Sequence, residues 1–341
     1  MKLLWYLMVK IYVRTGFAFY FKKVSIVGLE NVPKNTAVLF VANHQNALID
    51  PLLLGAFIPR QLHFLTRADV FYKPLVRALL STVNMLPIYR IRDGRDGLSK
   101  NEEVFQKCHD ILKDKGTVLI FPEGNHNIQR RVRILSKGFT RIVFGAIEKS
   151  DNQELLVVPI GINYSNAKRY ASKVSLNIGE PVVANIYYDK LNSNGGAMAL
   201  KTEISDRLKQ LVTHIDDAEN YERLEKSFHE DEFLSPEIVN SRLKHPENLK
   251  PLEHVPGRSF NFLMPLVTFN SFFPLLIWKR IFPGIVEEEF IATYKFSIGI
   301  TAFPFFYFLQ AGLISYFFNT TAAFIYLIFS FLSVYLLTKS R

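Results

Sequence analysis

Residues 37–51 read Ala-Val-Leu-Phe-Val-Ala-Asn-His-Gln-Asn-Ala-Leu-Ile-Asp-Pro. Ala37 to Val41 is a short, unbroken apolar run, the pattern of a strand buried on both faces of a sheet. Asn43-His44 follows directly, and Asp50-Pro51 comes soon after. Functional groups in an α/β sheet gather where strands end, and His44 falls there. A histidine with a nearby carboxylate is the minimal general base, because the carboxylate sets the tautomer and stabilises the imidazolium as the proton moves. Alone, such a pair is structural more often than catalytic.

Outward from this stretch the strand pattern recurs at Gln61 to Thr66, Val83 to Tyr89, Thr117 to Phe121 and Leu155 to Ile162. Helical stretches separate these runs. Ser99 and Glu102 read as a capping box closed at the far end by Gly116, and Lys137 to Lys149 reads as a second helix. Strands alternating with helices predict an α/β domain over residues 24–190, a mixed sheet flanked by helices. Residues 191–258 are expected to be a charged helical segment followed by a linker, since Pro236, Pro246, Pro251 and Pro256 punctuate it.

The two ends of the chain have a different composition. Residues 1–23 are apolar and aromatic-rich but carry Lys10 and Arg14 four apart, on one helical face. Two such charges are costly inside a spanning helix, so the segment is expected to lie at a membrane interface. An amphipathic helix packed on the domain is the alternative. Residues 259–341 are expected to form the membrane region. Ser297 to Leu337 contains no charged residue, which is long enough for spans at about 297–317 and 321–337 with a turn near Asn319. Residues 262–278 are interrupted by Pro265, Asn270 and Pro274 and read as a re-entrant or spanning segment. With two spans, Lys279, Arg280, Lys295, Lys339 and Arg341 all lie on the cytoplasmic side, which predicts an integral membrane protein with its catalytic domain in the cytoplasm.

The net charge of +10 fits an anionic membrane or phosphorylated substrates. No zinc-finger, basic-heptad or RNA-binding signature accompanies it, so no nucleic-acid partner is expected. Cys108 is the lone cysteine, so no intrachain disulfide can form. Its neighbours on a helix point in different directions, which speaks against a catalytic thiol.

Three further stretches end strands: Leu86-Pro87-Ile88-Tyr89-Arg90, Phe121-Pro122-Glu123-Gly124-Asn125 and Val158-Pro159-Ile160-Gly161. Singly, each reads as a strand-terminating turn. In this order and spacing, together with Asn43-His44 and Asp50-Pro51, they resemble the motif blocks of the glycerolipid acyltransferase family. That family includes glycerol-3-phosphate and 1-acylglycerol-3-phosphate acyltransferases. Lys137-Gly138 also falls where the family has such a pair.

The resemblance implies roles residue by residue. His44 would be the general base and Asp50 its orienting partner. Arg90 would bind the acceptor's phosphate. Glu123 and Gly124 would hold the glycerol backbone, and Pro159 would shape the acyl-donor site. Asn125 and Lys137 complete the substrate-binding set. The co-substrates would be acyl-CoA or acyl-carrier protein and a glycerol-phosphate acceptor, with no cofactor or metal. An oxyanion donor is expected among the backbone N–H groups near Gly124. No Gly-x-Ser-x-Gly elbow is present, which favours direct transfer over an acyl-serine intermediate.

Two departures qualify the match. Five residues, Gln45 to Ile49, separate His44 from Asp50, one more than the family's usual spacing. On a regular helix that residue would rotate Asp50 by about 100°, so the strand-to-helix turn must absorb it. Some glycerol-3-phosphate acyltransferases resemble this longer form. The third block continues as Asn125-His126-Asn127, without the family's arginine; Arg130, Arg131 and Arg133 follow as substitutes or as a solvated face. The alternatives are an enzyme for another lyso-lipid acceptor and a non-catalytic membrane scaffold.

Overall fold

The computed structural model describes residues 2–89, 95–150, 153–252 and 262–341. Its centre is an eight-stranded sheet. In chain order the strands are β1 (Lys23–Val27), β2 (Ala37–Ala42), β3 (His63–Arg67), β4 (Met85–Ile88), β5 (Thr117–Ile120), β6 (Leu155–Tyr164), β7 (Lys173–Ile178) and β8 (Val182–Val183). In space they run β1-β7-β6-β2-β5-β3-β4, with β8 also paired to β6. The sheet is mixed. β6, β2, β5, β3 and β4 are mutually parallel, whereas β7 and β8 pair antiparallel to β6.

The unbroken apolar runs have a simple cause, since helices cover both faces of the sheet. Along β2, Val38, Phe40 and Ala42 enter one core while Ala37, Leu39 and Val41 enter the other, as the two-residue period of a strand requires. The first core lies under α1 (Lys2–Tyr20) and α2 (Ile49–Phe57). After α3 (Pro74–Thr82), the second core is covered by α4 (Arg95–Lys113), α5 (Gly138–Glu148) and α6 (Ser193–Leu211).

Helix ends differ from the sequence expectation in two places. α4 begins at Arg95, which puts Ser99 inside the helix rather than at its cap. At the other end the left-handed residue is Lys115 (φ 57°), not Gly116. Lys115 N–H donates to Leu112 O and Gly116 N–H to Ile111 O, the paired bonds of a Schellman closure. Gly116 is still constrained, since a Cβ there would lie 2.5 Å from Ile111 O.

Residues 191–252 are not a free linker. Leu200, Ile204 and Leu208 of α6 complete the second core. Beyond it, α7 (Tyr221–Glu225) and α8 (Pro236–Leu243) build a small core of Ile215, Tyr221, Leu224, Phe228, Phe233, Val239 and Leu249. Pro236 occupies the first turn of α8, where its missing N–H costs nothing, and Pro246 opens a 3-10 turn after it.

Arg130 joins this subdomain to the sheet. Its guanidinium donates to Tyr164 O (2.6 Å) and Ser165 O (2.9 Å), lies 3.7 Å over the Phe233 ring and pairs with Glu225 at 3.3 Å. Replacing it by Met is expected to cost about 1.5–3 kcal/mol, the range for hydrogen bonds to a charged group. Lys would recover little, because an ammonium cannot span two carbonyls in a plane. Urea unfolding of both variants checks this.

At the C-terminal end, α9 (Leu263–Asn270) and α10 (Phe272–Ile281) are separated at Ser271, and α11 (Ile291–Phe317) and α12 (Thr320–Ser340) form a hairpin. Asn319 makes the turn and caps α12, its Oδ1 accepting from Ala322 N–H at 2.8 Å. Two helical stretches, Glu288–Phe317 and Thr320–Ser340, are long and apolar enough to cross a membrane. Only 17% and 22% of their apolar windows are buried, unlike core helices of a soluble domain. Polar residues within the apolar region pair across helices. Asn270 bridges Ser330 (3.0 Å) and Tyr326 (2.9 Å), and Tyr326 donates to Gln310 (2.6 Å).

α1 half-buries Lys10, while Lys2 and Arg14 stay exposed. Lys10 Nζ donates to Ile58 O and Arg14 lies 5.2 Å over the Phe57 ring. Tyr6, Val13, Phe17 and Tyr20 are buried, while Leu3, Leu4, Met8 and Ile11 are exposed. The amphipathic face of this helix is therefore packed on the domain, with an apolar face left outward.

Candidate active site

β2, β5, β3 and β4 end at one edge of the sheet, and the chemistry-bearing residues follow those ends. His44 comes two residues after β2, Phe121 directly after β5, and Arg67 closes β3. Parallel strands must all point the same way, so residues far apart in sequence converge there.

His44 and Asp50 meet. His44 Nδ1 lies 2.8 Å from Asp50 Oδ2. The same oxygen accepts from Gln45 N–H and Asn46 N–H, each at 2.8 Å. Backbone N–H groups only donate, so Oδ2 is an acceptor and the facing ring nitrogen carries its hydrogen, leaving Nε2 with the lone pair. The extra residue is absorbed where expected: residues 43–48 turn without helix, and Asp50 in the first turn of α2 reaches back to the turn's N–H groups. Asp50 Oδ1 accepts a 2.5 Å bond from the Tyr164 hydroxyl at the end of β6. Burial, with Asp50 adding to it, raises the Tyr164 phenol well above its usual range, so it stays a donor.

The His44 ring stacks on Phe121 with centroids 4.2 Å apart and meets His126 edge-on at 5.7 Å. Among the described residues, no protein group is hydrogen-bonded to His44 Nε2. Burial chiefly, then the neighbouring His44, lowers the pKa of His126.

The third-block loop is held from beneath. The Glu123 side chain is only 1% exposed, and its carboxylate accepts from Arg133 and from His44 N–H (3.4 Å). Arg133 N–H also donates to Glu123 Oε1 at 3.1 Å, and its guanidinium reaches Asn125 Oδ1 and O. Glu123 thus faces the protein rather than a glycerol backbone. Gly124 adopts φ +78°, a conformation side chains rarely adopt, with open space around it. Its N–H donates to Phe121 O at 3.2 Å and so is not free for an oxyanion.

The three arginines after this loop separate. Arg133 supports Glu123, Arg130 is the buried strut described above, and Arg131 lies 3.9 Å from Asp216. They lie outside any helix and are not one solvated helix face.

Pro159 does not reach the histidine. It sits in β6 opposite Val41, and its ring packs toward Gly179 and Leu211, on the α6 face of the sheet. Its missing N–H falls where the antiparallel ladder breaks between β8 and β7. Lys137 precedes α5, exposed. Arg90 lies outside the described residues.

Sequence reading missed three participants. Tyr164 looked like one more apolar strand residue, although a hydroxyl at a buried strand end always needs a partner. Glu287 and Glu289 lie far along the chain, yet with His126 they place one potential metal-ligand atom each within 4.8 Å of the others. That set offers mixed nitrogen and oxygen donors beside the site, where the sequence suggested none. Glu289 O also accepts from Ala47 N–H at 3.4 Å, and Thr293 Oγ1 from Leu48 N–H at 3.1 Å, so the start of α11 braces the His44 turn. Cys108 is fully buried, and burial pushes its thiol up to about 12, which leaves no thiolate at neutral pH.

One edge of the parallel sheet thus brings together a buried carboxylate, an oriented imidazole and a glycine loop in an α/β domain. Residues 23–163 match the family model described as Acyltransferase. Among curated proteins it is similar to glycerol-3-phosphate O-acyltransferase 2 of Saccharomyces cerevisiae, 27% identical over 36% of this chain and 17% of that one. It is also similar to the chloroplastic 1-acyl-sn-glycerol-3-phosphate acyltransferase LPAT1 of Arabidopsis thaliana, 29% identical over 35% of this chain and 32% of that one. The match thus spans less than a third of each relative's length. Among solved structures, the 1-acyl-sn-glycerophosphate acyltransferase PlsC of Thermotoga maritima aligns with a TM-score of 0.41 and 20% identity, over 59% of this chain and 78% of that one.

Proposed function

We propose that this protein transfers a fatty acyl chain from acyl-CoA or acyl-carrier protein to the hydroxyl of glycerol-3-phosphate or 1-acylglycerol-3-phosphate, at the cytoplasmic face of a membrane. The 2.8 Å contact from His44 Nδ1 to Asp50 Oδ2 carries the proposal, because it leaves Nε2 free as a base. Nε2 takes the acceptor's hydroxyl proton as the oxygen attacks the thioester carbonyl. The tetrahedral intermediate collapses, the carbon–sulfur bond breaks, and the imidazolium returns the proton to the departing thiolate. Asp50 steadies the imidazolium between these steps.

Arg90, by family resemblance, receives the acceptor's phosphate. Arg67 supports this placement: it closes β3 in register with Ile88 of β4, at the same sheet edge. Lys137, exposed before α5, is a second cation for a phosphate. Glu123 and Gly124 act by shaping the loop beside His44. The two relatives named above are acyltransferases for the two proposed acceptors, and the longer His–Asp spacing favours glycerol-3-phosphate.

The membrane reading rests on the hairpin and on the outward apolar face of α1. The start of α11 and the end of α12 both meet the catalytic domain. Thr338 Oγ1 donates to Phe19 O and Lys339 Nζ to Phe21 O, each at 2.8 Å. One side of the bilayer would then hold the domain and the basic residues together, as the positive-inside rule favours.

The test is a detergent-purified preparation given labelled acyl-CoA or acyl-carrier protein with each acceptor in turn. Acylated product from one acceptor is the expected result. No product from any of the four combinations would refute the proposal.

A further inference from the structure

A cavity of about 520 Å³ lies among α1, α9, α10, α11 and α12, outside the acyltransferase match. Its walls are apolar and aromatic, with Phe296, Phe303, Tyr307 and Phe331 among them. Its volume falls in the range of small-molecule sites. Two cations line it, Lys295 from the second turn of α11 and Arg341 after α12. Lys295 Nζ donates to Lys168 O at 2.9 Å and lies 5.2 Å from the Trp278 ring. Arg341 lies 5.8 Å over the Tyr170 ring. Among the described residues neither forms an ion pair with a carboxylate. Two uncompensated cations on one apolar cavity repel each other, and an anion between them relieves the repulsion.

We propose that this cavity binds an anionic phospholipid of the bilayer, one acyl chain filling the aromatic chamber and the phosphate lying between Lys295 and Arg341. An acyl chain matches the shape and polarity of the walls, and the phosphate supplies the missing countercharge. A zwitterionic lipid brings its own ammonium to the same place and gains less. The site depends on the membrane placement of α11 and α12, but not on the acyl-transfer chemistry.

The chain has two tryptophans, Trp5 and Trp278, and Trp278 lines the cavity. A Trp5→Phe protein in vesicles therefore reports on the site through Trp278 fluorescence. Brominated phosphatidic acid is expected to quench it more than brominated phosphatidylcholine at equal mole fraction. Lys295→Gln and Arg341→Gln are each expected to reduce that preference about fivefold, the equivalent of ~1 kcal/mol per charge near an anionic headgroup. Gly299 lines the cavity, and a Cβ there meets nothing within 4 Å, so Gly299→Leu fills the space without a clash. It should abolish the preference. Gly312→Leu, on the same helix with equally open space but outside the cavity, should retain it. Equal quenching by the two lipids, or a preference that survives Gly299→Leu, overturns the site. Absence of quenching by either lipid overturns it through the membrane placement of the helices, a failure distinct from loss of acyl transfer in the enzyme assay.

Discussion

Replacing His44 by Ala is expected to slow acyl transfer by about 10²–10⁴-fold, the usual contribution of a positioned general base. The loss should appear in kcat, because the imidazole works as the hydroxyl proton leaves rather than when substrates bind. The fold should survive. The His44 side chain is 14% exposed, and Asp50 Oδ2 keeps its two backbone donors when the ring is gone. Single-turnover kinetics beside a thermal melt separate the two effects. A variant that melts normally and turns over at the parent rate would sink the general-base role.

Asp50 offers a sharper test, because its charge and its hydrogen bonds can be removed separately. Asp50→Asn can place its amide oxygen where Oδ2 lies, still accepting from Gln45 N–H, Asn46 N–H and His44 Nδ1–H. Its NH₂ then faces Tyr164, whose hydroxyl can accept as well as donate. The turn should stay folded while the negative charge behind the imidazole is lost. Transfer is expected to fall on the order of 10²-fold or more, since the imidazolium is no longer stabilised. Asp50→Ala also strands buried donors, at roughly 1–3 kcal/mol for each group left unsatisfied. Asn should therefore lower activity with little change in melting temperature, and Ala should lower both. Equal melting losses in the two variants would show that the carboxylate's charge holds the turn together.

Much of this architecture was legible in the chain itself. The strand runs at 37–41, 61–66, 83–89, 117–121 and 155–162 announced themselves because a sheet covered on both faces needs continuous apolar sequence. β1, β7 and β8 escaped notice. Lys23, Ser25, Lys173, Ser175 and Asn177 break the apolar pattern in β1 and β7, and β8 is only two residues long. The hairpin was legible for a different reason, as Ser297 to Leu337 carries no charged residue and so offers neither helix a charged face. Residues 235–252 misled because prolines look like linkers, whereas Pro236 opens α8 and Pro246 a single 3-10 turn beside Val239 and Leu249.

At the site the division is sharper. His44 and Asp50 could be paired from sequence because they are neighbours along the chain, and only the turn's geometry was open. Glu123 was legible as a residue of the strand-end loop, but not the partner it takes there. A motif identifies a residue's position, whereas its direction depends on Arg133, which sits elsewhere on the same loop. Local periodicity and spacing by themselves determined the α/β layering, the strand-end location of the chemistry and the apolar hairpin. Only the tertiary structure decided that Tyr164 closes the shell of Asp50, that Lys10 and Arg14 of α1 reach Ile58 and Phe57, that Pro159 faces away from His44 and that α11 braces the His44 turn. Those contacts depend on how distant strands and helices are brought together, and the spacing of residues along one chain carries no record of that.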